Sequence, residues 1–342
     1  MKIIHCADIH LDSPLIGVKD SGARRHELLV ALMNMSEYAN NNGVSAIIVA
    51  GDLFDDRFAT SSTVESVAEI VRASKAAWFV LRGNHGGRDP YVKLHELCSQ
   101  INFFEDSWTS YNLGNVTICG RELGHNDVEQ WGRLSLDASR YNIVVLHGDI
   151  DDDSYGLIDK RALANSGARY VALGHRHTFA EHKLGVVRAC YSGVLESRGF
   201  DEPTSGFVEI DTDTDKICFI KQPIRSVVTT LIDVTDITSD IALQRLVSDT
   251  VADVSPRNYL NVVLCGSVTA DLHTSVVKQL LQDRFFALRI KDETTTKIDV
   301  SSLLNEVSLR GEFVKLAMNE KDEKLRDEII KLGLLALNGG NL

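Results

Sequence analysis

Over the first two thirds of the chain, short unbroken apolar runs alternate with stretches whose apolar positions recur every three or four residues. Residues 2–7 form a β-rich run that ends at Asp8. From about residue 25 to 41, Leu28, Leu29, Leu32 and Met35 share one helical face, and Gly43 stops the helix. Residues 44–50 are apolar without a break, as in a parallel strand covered on both faces. Residues 61–76 predict another helix and 77–81 another strand, and 141–146 and 169–173 repeat the strand pattern. Each strand ends where a polar cluster begins. In open α/β sheets, that carboxyl edge is where sites are built.

After Gly174 the texture changes to hairpins, 179–182 with 186–191 and 207–211 with 216–221, which suggest a second sheet packed face to face with the first. Beyond Pro223 a β-α-β-α-β pattern (227–234, 239–251, 260–265, 272–282, 285–290) predicts a small α/β domain. The polar run 291–297 reads as a linker. From Ser301 the spacing of Leu303, Val307, Phe313, Leu325 and Ile329 predicts a helical tail. The expected domains are 1–223, 224–297 and 298–342.

Composition narrows the picture little. A hydrophobic share of 44% and a charged share of 25% suit a globular protein. No window approaches the ~18 apolar residues of a spanning helix. The first residues are too short an apolar run for a secretory signal. A cytoplasmic protein with no membrane partner is expected. Six cysteines without a C-x-x-C pair read as reduced, buried thiols. The net charge of −12 argues against a large basic groove for nucleic acid. Bound divalent cations or a partner's basic surface would offset it.

Candidate chemistry lies in five clusters, each just after a predicted strand. They are Asp8-Ile9-His10, Gly51-Asp52-Leu53-Phe54-Asp55, Gly83-Asn84-His85, Leu146-His147-Gly148 and Gly174-His175-Arg176-His177. Ligands two apart on a strand end, as in Asp8/His10 and His175/His177, point to one side and can grip one ion. Mixed imidazole and carboxylate donors suit manganese, iron or zinc. Two ions about 4 Å apart can hold an attacking water and the phosphoryl oxygens together, and Asp52 is the natural bridge. The neighbouring glycines allow tight turns and a close approach of phosphate to the backbone. His5, His95, His182 and His273 read as core residues, His26 and His125 as surface ones. Residues 149–153 read as a solvated acidic loop, and Arg176 as one half of an outward salt bridge.

In this order the clusters resemble the calcineurin-like metallophosphoesterase superfamily, D-x-H … G-D … G-N-H … H … G-H-x-H. The resemblance implies an α/β fold, a two-sheet αββα sandwich, holding two divalent metal ions. It implies Asp8, His10 and His177 on the first metal, Asn84, His147 and His175 on the second, and Asp52 bridging both. His85 would be catalytic rather than a ligand, protonating or orienting the leaving oxygen or steadying phosphoryl charge.

A closer resemblance is to DNA-repair nucleases of the SbcD and YhaO type. It rests on 4–15, on Gly51–Asp55, and on Ser192-Gly193 followed by Arg198-Gly199-Phe200-Asp201-Glu202-Pro203. The domain after Pro223 and the segment Ser308-Leu309-Arg310-Gly311-Glu312-Phe313 extend it. It implies a metal-dependent DNA nuclease with a small capping domain that helps bind DNA and a helical tail that docks on an SMC-like coiled-coil ATPase. Manganese is the usual metal, with iron, zinc or magnesium as alternatives, and homodimers are common. One departure stands out: Gly86 occupies the place of the usual acidic residue after Gly-Asn-His, with Asp89 as a stand-in further along. Two other readings stay open on sequence: a phosphoesterase for a small phosphodiester, nucleotide or phosphoprotein, and a non-catalytic DNA-end-binding or scaffold subunit.

Overall fold

The computed structural model describes the 342-residue chain apart from residues 16, 17, 19, 56, 86, 124–127, 151–155, 236, 269–272, 297–299 and 338–342. His125, Gly86 and the acidic residues 151–153 lie outside the described residues. The chain forms two compact units, Met1–Val228 with Arg257–Tyr259, and Thr229–Pro256 with Leu260–Leu342.

In chain order the first unit carries β1 (Lys2–Cys6), α1 (Ser21–Asn41), β2 (Val44–Ala50), α2 (Ser61–Ala73), β3 (Ala77–Leu81), α3 (Arg88–Leu97) and β4 (Ile101–Phe103). It continues with β5 (Thr109–Leu113), β6 (Val116–Gly120), β7 (Tyr141–His147), α4 (Lys160–Ala164), β8 (Tyr170–Gly174), β9 (Ala180–Leu184), β10 (Val187–Tyr191), β11 (Phe207–Asp211) and β12 (Lys216–Ile220). Helix α1 starts earlier than its apolar stripe because Asp20 accepts a hydrogen bond from the Ala23 N–H and caps it. Thr60 caps α2 in the same way through Thr63, and the extended Ser74 ends it.

The strands form two six-stranded sheets, β12-β11-β1-β2-β3-β4 and β5-β6-β7-β8-β10-β9. In the first, β1 through β4 run parallel, and β11 joins antiparallel with Ile3 opposite Ile210. In the second, β6, β7, β8 and β10 run parallel between antiparallel edges. Alternation along β2 explains its unbroken apolar run. Ile47 and Val49 pack under α1 and α2, while Ala46, Ile48 and Ala50 face Ile143, Val145 and Ala172 of the other sheet. A third apolar layer covers the far side of the second sheet, with Leu163 of α4 among its members. The fold is the αββα sandwich that the motifs implied.

The sheet assignment corrects one expectation. The two hairpins do not make a sheet of their own: β11–β12 extends the first sheet and β9–β10 edges the second. Strands β7 and β8, read as a continuation of the first sheet, belong to the second. Both sheets bury both faces, so their strands carry the same apolar signature.

The second unit holds a three-stranded sheet ordered β13 (Val227–Asp233), β14 (Tyr259–Cys265), β16 (Ala287–Asp292), with α5 (Asp240–Thr250) and α6 (Thr274–Leu281). A short parallel pair joins β15 (Ser267–Val268) to β17 (Thr295–Thr296). Three helices follow, α7 (Val300–Leu304), α8 (Leu309–Ala317) and α9 (Glu323–Leu337), packed on one another around Leu303, Val314, Ile330 and Leu334. Leu309, Leu316 and Val307 stay exposed. Of the six cysteines, Cys6, Cys98, Cys119 and Cys190 are buried, and Cys218 and Cys265 are half-buried; all are free thiols. No helix among the described residues is long and apolar enough to cross a membrane.

Candidate metal centre

Five strands of the two sheets deliver the candidate residues at their carboxyl ends. Asp8 and His10 follow β1, Asp52 follows β2, and Asn84 and His85 follow β3. His147 is the last residue of β7, and His175 and His177 follow β8. The backbone is left-handed at Asp8 (φ 52°), His10 (φ 48°), Asp52 (φ 53°) and His175 (φ 102°). Each such residue costs on the order of 1–3 kcal/mol and persists only where its surroundings over-determine it. The loops do so by bonding to one another. The N–H of Asp8 donates to Gly51 O at 3.1 Å, those of Ile9 and His10 both donate to Asp52 O at 2.9 Å, and that of Asp52 donates to Arg82 O at 2.7 Å. The N–H of His175 donates to both carboxylate oxygens of Asp8 at 3.1 Å.

The glycines serve these contacts rather than an approaching phosphate, which refines the expectation from sequence. A Cβ on Gly51 would stand 2.0 Å from His147 Nδ1, and one on Gly83 would stand 2.4 Å from Asp52 Oδ1. A Cβ on Gly174 would meet Ala50 O at 2.0 Å. The ligand side chains themselves occupy that space.

The seven candidate ligands converge. His10 Nε2 and His177 Nε2 are 3.3 Å apart. His147 Nε2 lies 2.7 Å from Asn84 Oδ1, which is also 3.3 Å from His175 Nδ1. Asp52 Oδ2 stands between these groups, 3.7 Å from His10 Nε2 and 3.4 Å from His147 Nε2. Ligand atoms of Asp8, His10 and His177 lie within 4.8 Å of one another, as do those of Asp8, Asp52 and His147. Lone-pair atoms facing one another at such distances repel unless protons or cations lie between them. The donor set therefore fits two adjoining cations.

The electrostatics lean the same way. Burial pushes the Asp8 carboxyl up to about 6. Burial also works against a charge on Asp52, but the His147 charge and hydrogen bond outweigh it and hold Asp52 at about 2. For His147 burial opposes the cation, yet the carboxylates of Asp52 and Asp8 raise the ring to about 9. The site attracts positive charge at its centre.

His85 sits on the rim. It is exposed, its ring centroid is 5.1 Å from that of His10, and its N–H donates to Asp52 Oδ1 at 2.9 Å. Asp89 lies in the exposed first turn of α3.

Three supporting groups escaped sequence reasoning. Glu122 is buried and accepts from the N–H of Arg82 at 2.6 Å and of Gly83 at 3.3 Å, which fixes the loop carrying Asn84. Tyr91 accepts from the Leu53 N–H and donates to Arg82 O, tying that loop to the Asp52 loop. Glu202 Oε1 and Arg198 Nη2 each lie 3.0 Å from His177 Nδ1. Only the Arg198–Glu202 segment had a signal, as part of a motif without a role.

Other expectations change. Arg176 does form a salt bridge, gripping Asp149 through two hydrogen bonds of 2.8 and 2.7 Å. Asp149 is buried, however, and Ile150 is packed in the layer beyond the second sheet, so the acidic run starts inside the protein. His5 is buried against Tyr170, as expected of a core residue, while His95 and His273 lie on the surface. Their apolar neighbours point inward from α3 and α6, and the histidines do not.

A two-sheet sandwich with a histidine–carboxylate cluster across the carboxyl edges of both sheets defines a metal-dependent phosphoester hydrolase. Residues 1–179 match the family profile of the calcineurin-like phosphoesterases, and the chain belongs to that family, whose members hold divalent metal ions. The uncharacterized metallophosphoesterase YhaO of Bacillus subtilis (strain 168) is 26% identical over 349 residues, spanning 89% of this chain and 84% of that protein. The DNA double-strand break repair protein Mre11 of Aeropyrum pernix is 24% identical over 254 residues, 66% of this chain and 61% of that protein. Among solved structures, a dimetal phosphatase from Danio rerio matches with a TM-score of 0.43 at 10% identity, over 61% of this chain and 91% of that one. A novel archaeal phosphodiesterase matches with a TM-score of 0.41 at 15% identity, over 65% of this chain and all (100%) of that one.

Proposed function

We propose that the protein is a manganese-dependent DNA nuclease. The observation that carries this reading is the pair of adjoining ligand clusters joined through Asp8 and Asp52. Asp8, His10 and His177 would hold the first ion, Asn84, His147 and His175 the second, and Asp52 would bridge them. When bound, the ions polarise the phosphoryl group and activate a water for in-line attack. His85, exposed at the rim beside His10, donates a proton to the leaving oxygen or steadies charge on the phosphoryl oxygens. The nitrogen and oxygen donors suit manganese ahead of an ion that wants oxygen alone.

DNA as substrate draws support from the likeness to the Aeropyrum pernix repair protein, which runs beyond the residues of the family match. The second unit would cap the DNA. The helices α7–α9 would dock on a coiled-coil ATPase of the SMC-like class, a role supported by the exposed Leu309, Leu316 and Val307. The test is hydrolysis of hairpin, single-stranded and duplex DNA by the purified chain with manganese, alone and with its ATPase. Cleavage abolished by chelation and by Asp52→Asn is expected. Turnover of a small phosphodiester with all DNA forms intact would overturn the DNA reading and leave the phosphoester chemistry standing.

A further inference from the structure

The turn after β10 touches the candidate centre from outside the ligand set. Glu202 is buried, and its carboxylate accepts three hydrogen bonds from Arg198. The N–H of Arg198 donates to Oε2 at 2.6 Å, and Arg198 Nη2 and Nε donate to Oε1 at 2.6 and 3.1 Å. The same turn is anchored at its start. Arg24 Nη2 donates to Glu196 Oε1 at 2.5 Å and to the carbonyl oxygen of Ser197. The Glu202 carboxylate is thus fixed in place, with Oε1 3.0 Å from His177 Nδ1.

His177 Nδ1 has two neighbours of opposite demand, because Arg198 Nη2 also lies 3.0 Å away. A bare Nδ1 accepts from the guanidinium. An Nδ1–H donates to the carboxylate. A ring nitrogen does one or the other, and the choice fixes the state of Nε2, the atom that faces His10. Nε2 can bind a cation only when it is bare, which puts the hydrogen on Nδ1 and makes Glu202 its acceptor. We infer that Glu202, braced by Arg198, is a positioning residue that sets the ring orientation and the tautomer of His177 for metal binding. The inference rests on the reading of His177 as a ligand.

The experiment uses the full chain. Two-bond proton–nitrogen spectra of histidine-labelled, metal-free protein report the His177 tautomer, and calorimetric titration with manganese reports affinity. The wild type should show hydrogen on Nδ1. Glu202→Leu should move it to Nε2 and weaken manganese binding roughly 10–100-fold, the usual effect of losing an outer partner of a ligand. Glu202→Gln keeps an acceptor oxygen and should keep the hydrogen on Nδ1 and lose less affinity, and Glu202→Ala carries the test should Glu202→Leu not fold, as judged by circular dichroism. A folded Glu202→Leu or Glu202→Ala with the wild-type tautomer and an affinity within about twofold overturns the assignment. His177→Ala separates the two readings. If it binds manganese like the wild type, His177 is no ligand and both fall; if it binds weakly while Glu202→Leu does not, the Glu202 role alone falls.

Discussion

His147 donates its Nδ1 hydrogen to the carbonyl oxygen of Ala50 at 2.9 Å, so the last residue of β7 in one sheet is aimed by the last residue of β2 in the other. That bond keeps a hydrogen on Nδ1 and turns Nε2 toward Asp52 and Asn84. The centre is therefore a product of how the two sheets pack. Gly174 closes the arrangement, since its missing Cβ is what lets Ala50 O and the His147 ring come together.

Gly174→Ala tests this packing. A Cβ at 2.0 Å from Ala50 O and 2.7 Å from His147 Nδ1 must push one of them away. Overpacking of this kind costs about 1–3 kcal/mol. A ligand displaced by ~1 Å can lower turnover about a hundredfold. Metal content by mass spectrometry should fall together with hydrolysis of a small phosphodiester. A variant with full metal content and full activity would show that the interlock has slack.

His85 should behave differently from its neighbours in sequence. It is exposed and reaches the cluster through its backbone bond to Asp52. His85→Ala should retain both metal ions while turnover drops about 10²–10⁴-fold, the range for a lost general acid. Asn84→Ala should lose metal instead. If His85→Ala loses metal to the same extent as Asn84→Ala, His85 is a ligand and the division of roles is wrong.

The sequence displayed the candidate ligands well and their scaffolding poorly, for physical reasons. Asp8, His10, Asp52, Asn84, His85, His147, His175 and His177 stand out because polar metal-binding types at the ends of apolar strands are conspicuous. Their left-handed backbone was invisible, because only a glycine such as Gly51 announces a positive φ and Asp8 or His175 does not. Glu122, Tyr91 and Glu202 look like ordinary residues until the fold brings them to Gly83, Leu53 and His177. Sheet membership failed for a related reason. Strands β2 and β7 are equally apolar, and which neighbours they pair with is decided by tertiary packing. Short elements such as β4 and α4, at three and five residues, carry too few positions for any period to emerge.

Acid should weaken the fold through His5. Burial holds its ring at about 3, against 6.5 for an exposed histidine. Above the unfolded value both states are neutral, and no stability is lost. As pH falls below 6.5 the unfolded chain takes a proton that the folded one refuses, so stability declines until about pH 3. The decline is on the order of 5 kcal/mol at about 1.4 kcal/mol per unit. Urea unfolding of metal-free wild type and His5→Asn, compared at about pH 7 and about pH 4.5, isolates this share. The variant starts less stable, because the contact with Tyr170 is altered, but should lose less on acidification. Equal losses in the two proteins would assign the acid sensitivity to other groups.

Arg24 is fully buried in α1, and its removal should be among the most damaging single changes in the first unit. Its guanidinium meets Glu196 at 2.5 Å, Glu27 at 2.8 Å and the Tyr259 hydroxyl at 3.2 Å. Glu196 in turn accepts the N–H groups of Ile224 and Arg225 at 2.8 and 3.0 Å, where the chain leaves the second strand pair of the first sheet. Arg24→Met strands a buried carboxylate at Glu196, a situation that costs about 3–5 kcal/mol. Glu196→Gln keeps an oxygen for one of those two N–H groups, which bond to different oxygens of Glu196, and leaves Arg24 paired with Glu27, so its loss should be smaller. The double variant removes both the buried cation and the buried anion. Its loss should therefore fall short of the sum of the two single losses by about 1–3 kcal/mol in a double-mutant cycle read by urea unfolding. Strict additivity would mean that Arg24 stabilises the fold by packing on Tyr259 and not by neutralising Glu196.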